Sequence, residues 1–85
     1  MPYRILFKPA AQRQFRKLPR DIQRQLAPKI DVLAEDPRPS GIKKLSRAES
    51  LYRLRSGNFR IVYEIQDDML IVLIMKVGDR KSVYR

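Results

Sequence analysis

Apolar residues in the N-terminal half of the chain change from an alternating to a helical spacing. Tyr3, Ile5 and Phe7 alternate with other residues, which predicts a half-buried strand. Beyond Pro9 the apolar spacing becomes three and four, which predicts two amphipathic helices separated at Pro19. Their apolar stripes comprise Ala11, Phe15, Leu18, Ile22, Leu26, Ile30 and Leu33. The second helix is predicted from about Arg20 to Glu35, with a kink or a break into two pieces at Pro28.

The C-terminal half alternates with a period of two, which is typical of strands. Turns at residues 56–58 and 66–68 divide it into three strands. The last strand contains the run from Met69 to Met75, which is apolar at every position and so favours a place inside a sheet. We therefore predict a single α+β domain over residues 1–85, in the order β-α-α-β-β-β. Both helices pack on one face of an antiparallel sheet.

The alternation also assigns side chains to the two faces of this sheet. If Tyr52 and Leu54 face the helices, then Arg53, Arg55 and Arg60 share the opposite, open face. The face of Lys76 is left undecided by the sequence. Guanidinium groups gathered on one face match phosphate oxygens, which favours a nucleic-acid backbone as ligand. A solvated polar face would show the same alternation, so that alternative stays open.

Composition narrows the chemistry further. Among 85 residues, 19 Lys and Arg oppose 9 Asp and Glu, a net charge of +10. Such a surplus favours nucleic acid or an acidic protein, and its scatter along the chain argues against a membrane surface. The absence of His and Cys excludes zinc fingers, iron–sulfur sites, thiol nucleophiles and Ser-His-Asp catalysis. Asp67 and Asp68 lie in a predicted turn and are interpreted as turn formers rather than a metal pair.

Neither a signal peptide nor a membrane span is predicted. The first residues alternate instead of forming an apolar run after a basic start. The apolar run from Met69 to Met75 is far shorter than the roughly 20 residues that cross a bilayer. We therefore expect a cytoplasmic protein.

Three segments of the chain resemble the RelE/ParE toxin superfamily, and they occur in the family's order. They are FRKLP at residues 15–19, LYRLRSGNFRIVY at residues 51–63 and VGDRKSVY at residues 77–84. The last of them is similar to the ending of the RelE branch. The resemblance implies a RelE-like fold and an mRNA endonuclease that cuts codons in the ribosomal A site. It also implies an acidic antitoxin as partner, besides the ribosome and mRNA, and no cofactor or metal.

Site residues follow from the same resemblance. By position, the family's phosphate-steadying arginine corresponds to Arg60, the arginine after the last strand to Arg80, and the catalytic tyrosine to Tyr84. The family's paired lysines correspond to a region near Arg53 and Arg55. Further candidate RNA-binding residues are Lys76, Lys43 and Lys44.

Cleavage without His is chemically reasonable because RNA carries its own nucleophile, the 2′-hydroxyl. Neighbouring arginines would lower the pKa of a tyrosine towards that of a usable base. The products expected are a 2′,3′-cyclic phosphate or 3′-phosphate and a 5′-hydroxyl. Two alternatives stay open: a ParE-like inhibitor of DNA gyrase, and a non-catalytic RNA-binding module.

Overall fold

The computed structural model describes residues 2–45 and 50–79 and confirms the α+β class. In this part of the chain, two helices follow the first strand: α1 (Pro9–Lys17) and α2 (Arg20–Glu35). The five strands are β1 (Arg4–Phe7), β2 (Lys43–Lys44), β3 (Leu51–Ser56), β4 (Phe59–Gln66) and β5 (Ile71–Asp79). Strand β2 is additional to the four strands predicted. None of the helices formed by these residues has the length and apolar character needed to cross a membrane.

The five strands form one sheet in the order β1-β5-β4-β3-β2. Strands β2 to β5 pair antiparallel, but β1 pairs parallel with β5, so the sheet is mixed rather than wholly antiparallel. The two helices between β1 and the later strands provide the long connection that parallel pairing requires. Strand β5 lies between β1 and β4, which confirms that residues 71–75 of the apolar run belong inside the sheet. Met69 and Leu70 lie instead in the turn before β5, and Met69 is exposed.

Helix α2 is one continuous segment of 16 residues, so the predicted break at Pro28 does not occur. Pro28 is exposed, and so is Arg24, the residue whose carbonyl has no N–H partner because of the proline. On the other side, Leu26, Ile30 and Leu33 are fully or almost fully buried. Their burial against the sheet stabilises the helix across the proline.

The core lies between the helices and the side chains of β3, β4 and β5 that face them. Tyr63 is fully buried and stacks on Tyr52 with ring centres 5.9 Å apart. Its hydroxyl donates a hydrogen bond of 2.8 Å to the carbonyl of Pro37, and burial raises the pKa of Tyr63. Tyr52 and Tyr63 are therefore core residues.

A polar cluster fastens the loop after α2 to the sheet. The carboxylate of Asp67 accepts a hydrogen bond of 2.5 Å from the Tyr3 hydroxyl. It also forms an ion pair of 2.7 Å with Arg38, whose Nε donates to the Tyr52 hydroxyl at 3.2 Å. These contacts raise the pKa of Arg38 and hold the pKa of Asp67 at about 2. Asp67 therefore has a structural role in its turn, which agrees with the prediction.

Candidate nucleic-acid interface

Basic side chains on the open face of the sheet lie in two rows that run across the strands. In the first row, Lys43 on β2 pairs with Arg53 on β3, which pairs with Val62 on β4, and Val62 pairs with Lys76 on β5. Paired residues share a face, and neighbouring strands are about 4.8 Å apart. The row therefore presents three cations within the width of four strands.

The second row lies next to the turn between β3 and β4. Here Arg55 pairs with Arg60, and Arg60 pairs with Gly78 on β5. Glycine has no side chain, so β5 places no side chain beside Arg60 in this row. These pairings confirm that Arg53, Arg55 and Arg60 share one face, but the prediction that Arg60 is openly exposed there is wrong, because it is buried.

A β-bulge decides the face of Lys76. Tyr63 pairs with Ile74 but Val62 pairs with Lys76, so Met75 is an extra residue in β5. The extra residue reverses the alternation. Val72 and Ile74 face the core before it, and Val77 faces the core after it. Lys76 is consequently exposed on the open face.

The guanidinium groups of Arg55 and Arg60 meet at the carbonyl of Gly57. This carbonyl accepts hydrogen bonds from Arg55 Nε at 3.4 Å and from Arg60 Nη1 at 3.3 Å. Gly57 is the first residue of the turn and has φ +59°, a conformation that glycine adopts without steric cost. A backbone carbonyl of the turn therefore accepts hydrogen bonds from two cations, whose usual partner would be a carboxylate.

Arg60 is the most enclosed of these basic groups. Arg60 is only 4% exposed, and its Nη1 also donates a hydrogen bond to the Phe59 carbonyl at 3.2 Å. Within the described part of the chain, its buried Nε has no hydrogen-bond partner. A buried N–H without an acceptor costs about 1–3 kcal/mol, so this arrangement is expected where an anion binds.

Other predicted site residues lie elsewhere. Lys44 pairs with Tyr52 and so lies on the helix-facing side, with Nζ 5.9 Å from the Tyr52 ring centre. This separates Lys44 from Lys43 and from the arginines, because adjacent residues of a strand point to opposite faces. Arg80 and Tyr84 lie outside the described residues.

Sequence reasoning missed two features of this face. The bulge could have been recognised from the phase of the apolar residues, which are two apart at Val72 and Ile74 and then three apart at Val77. The sequence contains no signal that the Gly57 carbonyl accepts hydrogen bonds from arginines, because every residue has a backbone carbonyl. Chemically, the face supplies fixed positive charge and planar N–H donors, which suit phosphate oxygens.

Comparison with known proteins identifies the family. Residues 5–84 match the family model described as the ParE toxin of the type II toxin–antitoxin system, parDE. The mRNA interferase toxin RelE of Escherichia coli K12 is 33% identical over 99% of this chain and 92% of its own. Toxin RelG of Mycobacterium tuberculosis is 30% identical over 100% of this chain and 99% of its own.

Solved structures agree with this assignment. The toxin in the RelBE2 toxin–antitoxin complex from Mycobacterium tuberculosis superposes with a TM-score of 0.81 at 29% identity. The match covers 94% of this chain and 93% of that one. The sheet order, the two helices and the three sequence segments thus occur together with a family match over nearly the whole length. The chain belongs to the ParE toxin family of type II toxin–antitoxin systems and is a RelE-like toxin.

Proposed function

We propose that this toxin is a ribosome-dependent endoribonuclease that cuts mRNA in the A site and so stops translation in the cytoplasm. Relatives named mRNA interferases, 33% identical over nearly the whole chain, support RNA cleavage as the activity. The two rows of cations support a single-stranded RNA ligand, because their charge lies on one face of the sheet.

The observation that carries the proposal is the environment of Arg60. Its guanidinium is enclosed, is held by two backbone carbonyls and keeps a buried Nε without a partner among the described residues. A structural arginine at this burial would be expected to have a carboxylate partner. A phosphate group supplies the missing negative charge, and the rigid hydrogen bonds hold the guanidinium ready for it.

In the proposed reaction, the 2′-hydroxyl of the substrate attacks the adjacent phosphorus, and the bond to the 5′-oxygen of the next nucleotide breaks. Tyr84, as the phenolate, takes the proton of the 2′-hydroxyl, Arg60 and Arg80 stabilise the negative charge on the phosphate and leaving oxygen, and the leaving 5′-oxygen takes a proton from water. Arg53, Arg55, Lys43 and Lys76 bind neighbouring phosphates. The products are a 2′,3′-cyclic phosphate and a 5′-hydroxyl, and the reaction requires neither metal nor cofactor.

An acidic antitoxin is the proposed protein partner. The relative from Mycobacterium tuberculosis was solved as a toxin–antitoxin complex, and the net charge of +10 favours an acidic binding partner for this chain. A short acidic reading frame beside the gene would support this assignment, and co-purification of its product would test it.

Cleavage of mRNA on programmed ribosomes tests the proposed activity. We expect the wild-type protein to cut within the A-site codon, and Arg60→Ala to lower the rate about 10²- to 10³-fold. Arg60→Lys keeps the charge but loses the planar fork, so it should also be slow while remaining folded. The control is Arg13→Ala, which removes an exposed arginine of α1 and should retain the wild-type rate. Intact messages with the folded wild-type protein would contradict the proposal.

The ParE description of the matching family model favours one second candidate, inhibition of DNA gyrase. The two candidates differ in target, so the same preparation can be assayed for supercoiling by gyrase. Loss of supercoiling together with intact messages would favour gyrase inhibition. Salt-sensitive RNA binding with neither effect would favour a non-catalytic RNA-binding module.

A further inference from the structure

Two glutamines, one on each helix, bond to the sheet at the end that carries the basic residues. Gln25 of α2 donates from Nε2 to the hydroxyl of Ser56 at 2.9 Å. Gln14 of α1 accepts at Oε1 from the backbone N–H of Val77, also at 2.9 Å. Both glutamines are exposed residues, so neither is part of the apolar core.

Gln25 acts on the turn between β3 and β4. Ser56 is 3% exposed and directly precedes Gly57, whose carbonyl bonds to Arg55 and Arg60. A Cβ on Gly57 would lie 3.5 Å from Gln25 Nε2, so the Gln25 side chain lies next to the turn. The position of this carbonyl, and hence of both guanidinium groups, depends on where α2 holds the turn.

Gln14 acts on β5 just after the bulge. Strand β1 ends at Phe7, and its last bond to β5 runs from the Lys8 N–H to the Ile74 carbonyl at 2.9 Å. Beyond this point α1 replaces β1 as the neighbour of β5, and Gln14 provides the acceptor that Val77 needs. Val77 follows Lys76, so this bond fixes the strand in the register that turns Lys76 to the open face.

We propose that Gln14 and Gln25 are positioning residues for the RNA-binding face, acting through the bulge in β5 and the turn after β3. Gln14 fixes the position of Lys76, and Gln25 fixes the positions of Arg55 and Arg60. The proposal deepens, and rests on, the proposed RNA-binding function. No contact of either glutamine with RNA is involved, since both lie on the helix side of the sheet.

Five variants separate this role from general stabilisation. Gln14→Met and Gln25→Met keep side-chain length but remove the hydrogen bonds. Gln14→Glu keeps an acceptor for Val77, and Gln25→Glu can accept from the Ser56 hydroxyl, so both should restore the contact. Gln12→Met is the matched control. It makes the same change on α1, at an exposed glutamine whose side chain forms no hydrogen bond within the described residues.

The first measurement is made on the free protein by NMR. In Gln14→Met we expect the Val77 amide to exchange about tenfold faster and the cross-strand contact between Lys76 and Val62 to weaken. In Gln25→Met, the signals of the turn residues should shift, whereas Gln14→Glu, Gln25→Glu and Gln12→Met stay close to wild type. Unchanged exchange and an unchanged cross-strand contact in Gln14→Met would overturn the role of Gln14. Unchanged turn signals in Gln25→Met would do the same for Gln25.

The second measurement is the affinity for a short single-stranded RNA with 2′-O-methyl groups, which cannot be cleaved through 2′-hydroxyl attack. Each Gln→Met change should weaken binding about 3- to 10-fold. Gln14→Met should have no further effect in a Lys76→Met background, and Gln25→Met none in a background that carries both Arg55→Met and Arg60→Met. Additive losses would overturn the proposal. If the wild-type protein fails to bind this RNA or programmed ribosomes, the proposed function fails, and the NMR result still decides whether the glutamines set the face.

Discussion

At the scale of single residues, two kinds of arginine can be told apart by their partners. Arg38 is held by the carboxylate of Asp67, so its charge is balanced within the protein. Arg55 and Arg60 are held by the carbonyl of Gly57, which orients them but carries only a partial negative charge. Arginines oriented in this way keep their attraction for an external anion, since a dipole does not neutralise a full charge.

The Asp67 contacts predict a change in stability with acid. Hydrogen bonds from Arg38, and then from Tyr3, lower the pKa of Asp67 from 3.8 to about 2. A lowered pKa in the folded protein means that the stabilisation is complete above about pH 4 and is lost as the pH falls towards 2. Asp67→Asn should therefore lower the free energy of unfolding near pH 7. The loss should be no more than about 1 kcal/mol, because both partners are half exposed.

Urea unfolding at a series of pH values checks this prediction. The difference between wild type and Asp67→Asn should shrink as the pH is lowered from about 4 to 2. Asp68→Asn is the control, because it changes the charge of the same turn equally. The Asp68 side chain has no hydrogen bond within the described residues. A difference that grows on acidification would show that Asp67 is not stabilised as a carboxylate.

At the scale of elements, alternation predicted the faces of β3 and β4 because their register is unbroken from Ser56 opposite Phe59 to Leu51 opposite Glu64. It could not predict the face of Lys76, since a bulge depends on how β5 fits both β4 and α1. It also could not predict the parallel pairing of β1, because a strand's pattern is the same in either direction. Arg80 and Tyr84 were identified only by resemblance, and their roles stay predictions.

Helix α2 offers a test of what a proline costs inside a packed helix. Pro28 removes one backbone hydrogen bond, yet the helix continues through it. Because the ring is exposed, Pro28→Ala should restore the bond without changing the core, and should raise the free energy of unfolding by about 1–3 kcal/mol. Thermal or urea unfolding measures this.

The control for Pro28→Ala is Lys29→Ala at the next exposed position of α2. We expect it to change the free energy of unfolding by no more than about 0.5 kcal/mol. If Pro28→Ala is instead destabilising, the helix needs the geometry that proline imposes in order to pack Leu26 and Ile30 on the sheet.

At the scale of the whole molecule, the positive charge is divided between two opposite faces. The open sheet face carries the rows of lysine and arginine, whereas Arg16, Arg20 and Arg24 line a cleft of about 540 Å³ beside the helices. Net charge draws any polyanion to both faces. Hydrogen bonds to the Gly57 carbonyl fix arginines on the sheet face, so we expect ordered phosphate contacts there.

Two triple variants of equal charge test this division. Replacing Arg53, Arg55 and Lys76 by Gln, or replacing Arg16, Arg20 and Arg24 by Gln, takes the net charge from +10 to +7 in either case. Salt weakens binding to single-stranded RNA. In a plot of log affinity against log salt concentration, each phosphate contact adds about 0.7 to the magnitude of the slope. The sheet-face variant should therefore lower the slope by about 2, and the cleft variant by much less. Equal slopes would mean that the total charge attracts RNA and that the rows on the sheet face form no particular binding site. A larger decrease in the cleft variant would show that RNA binds beside the helices instead.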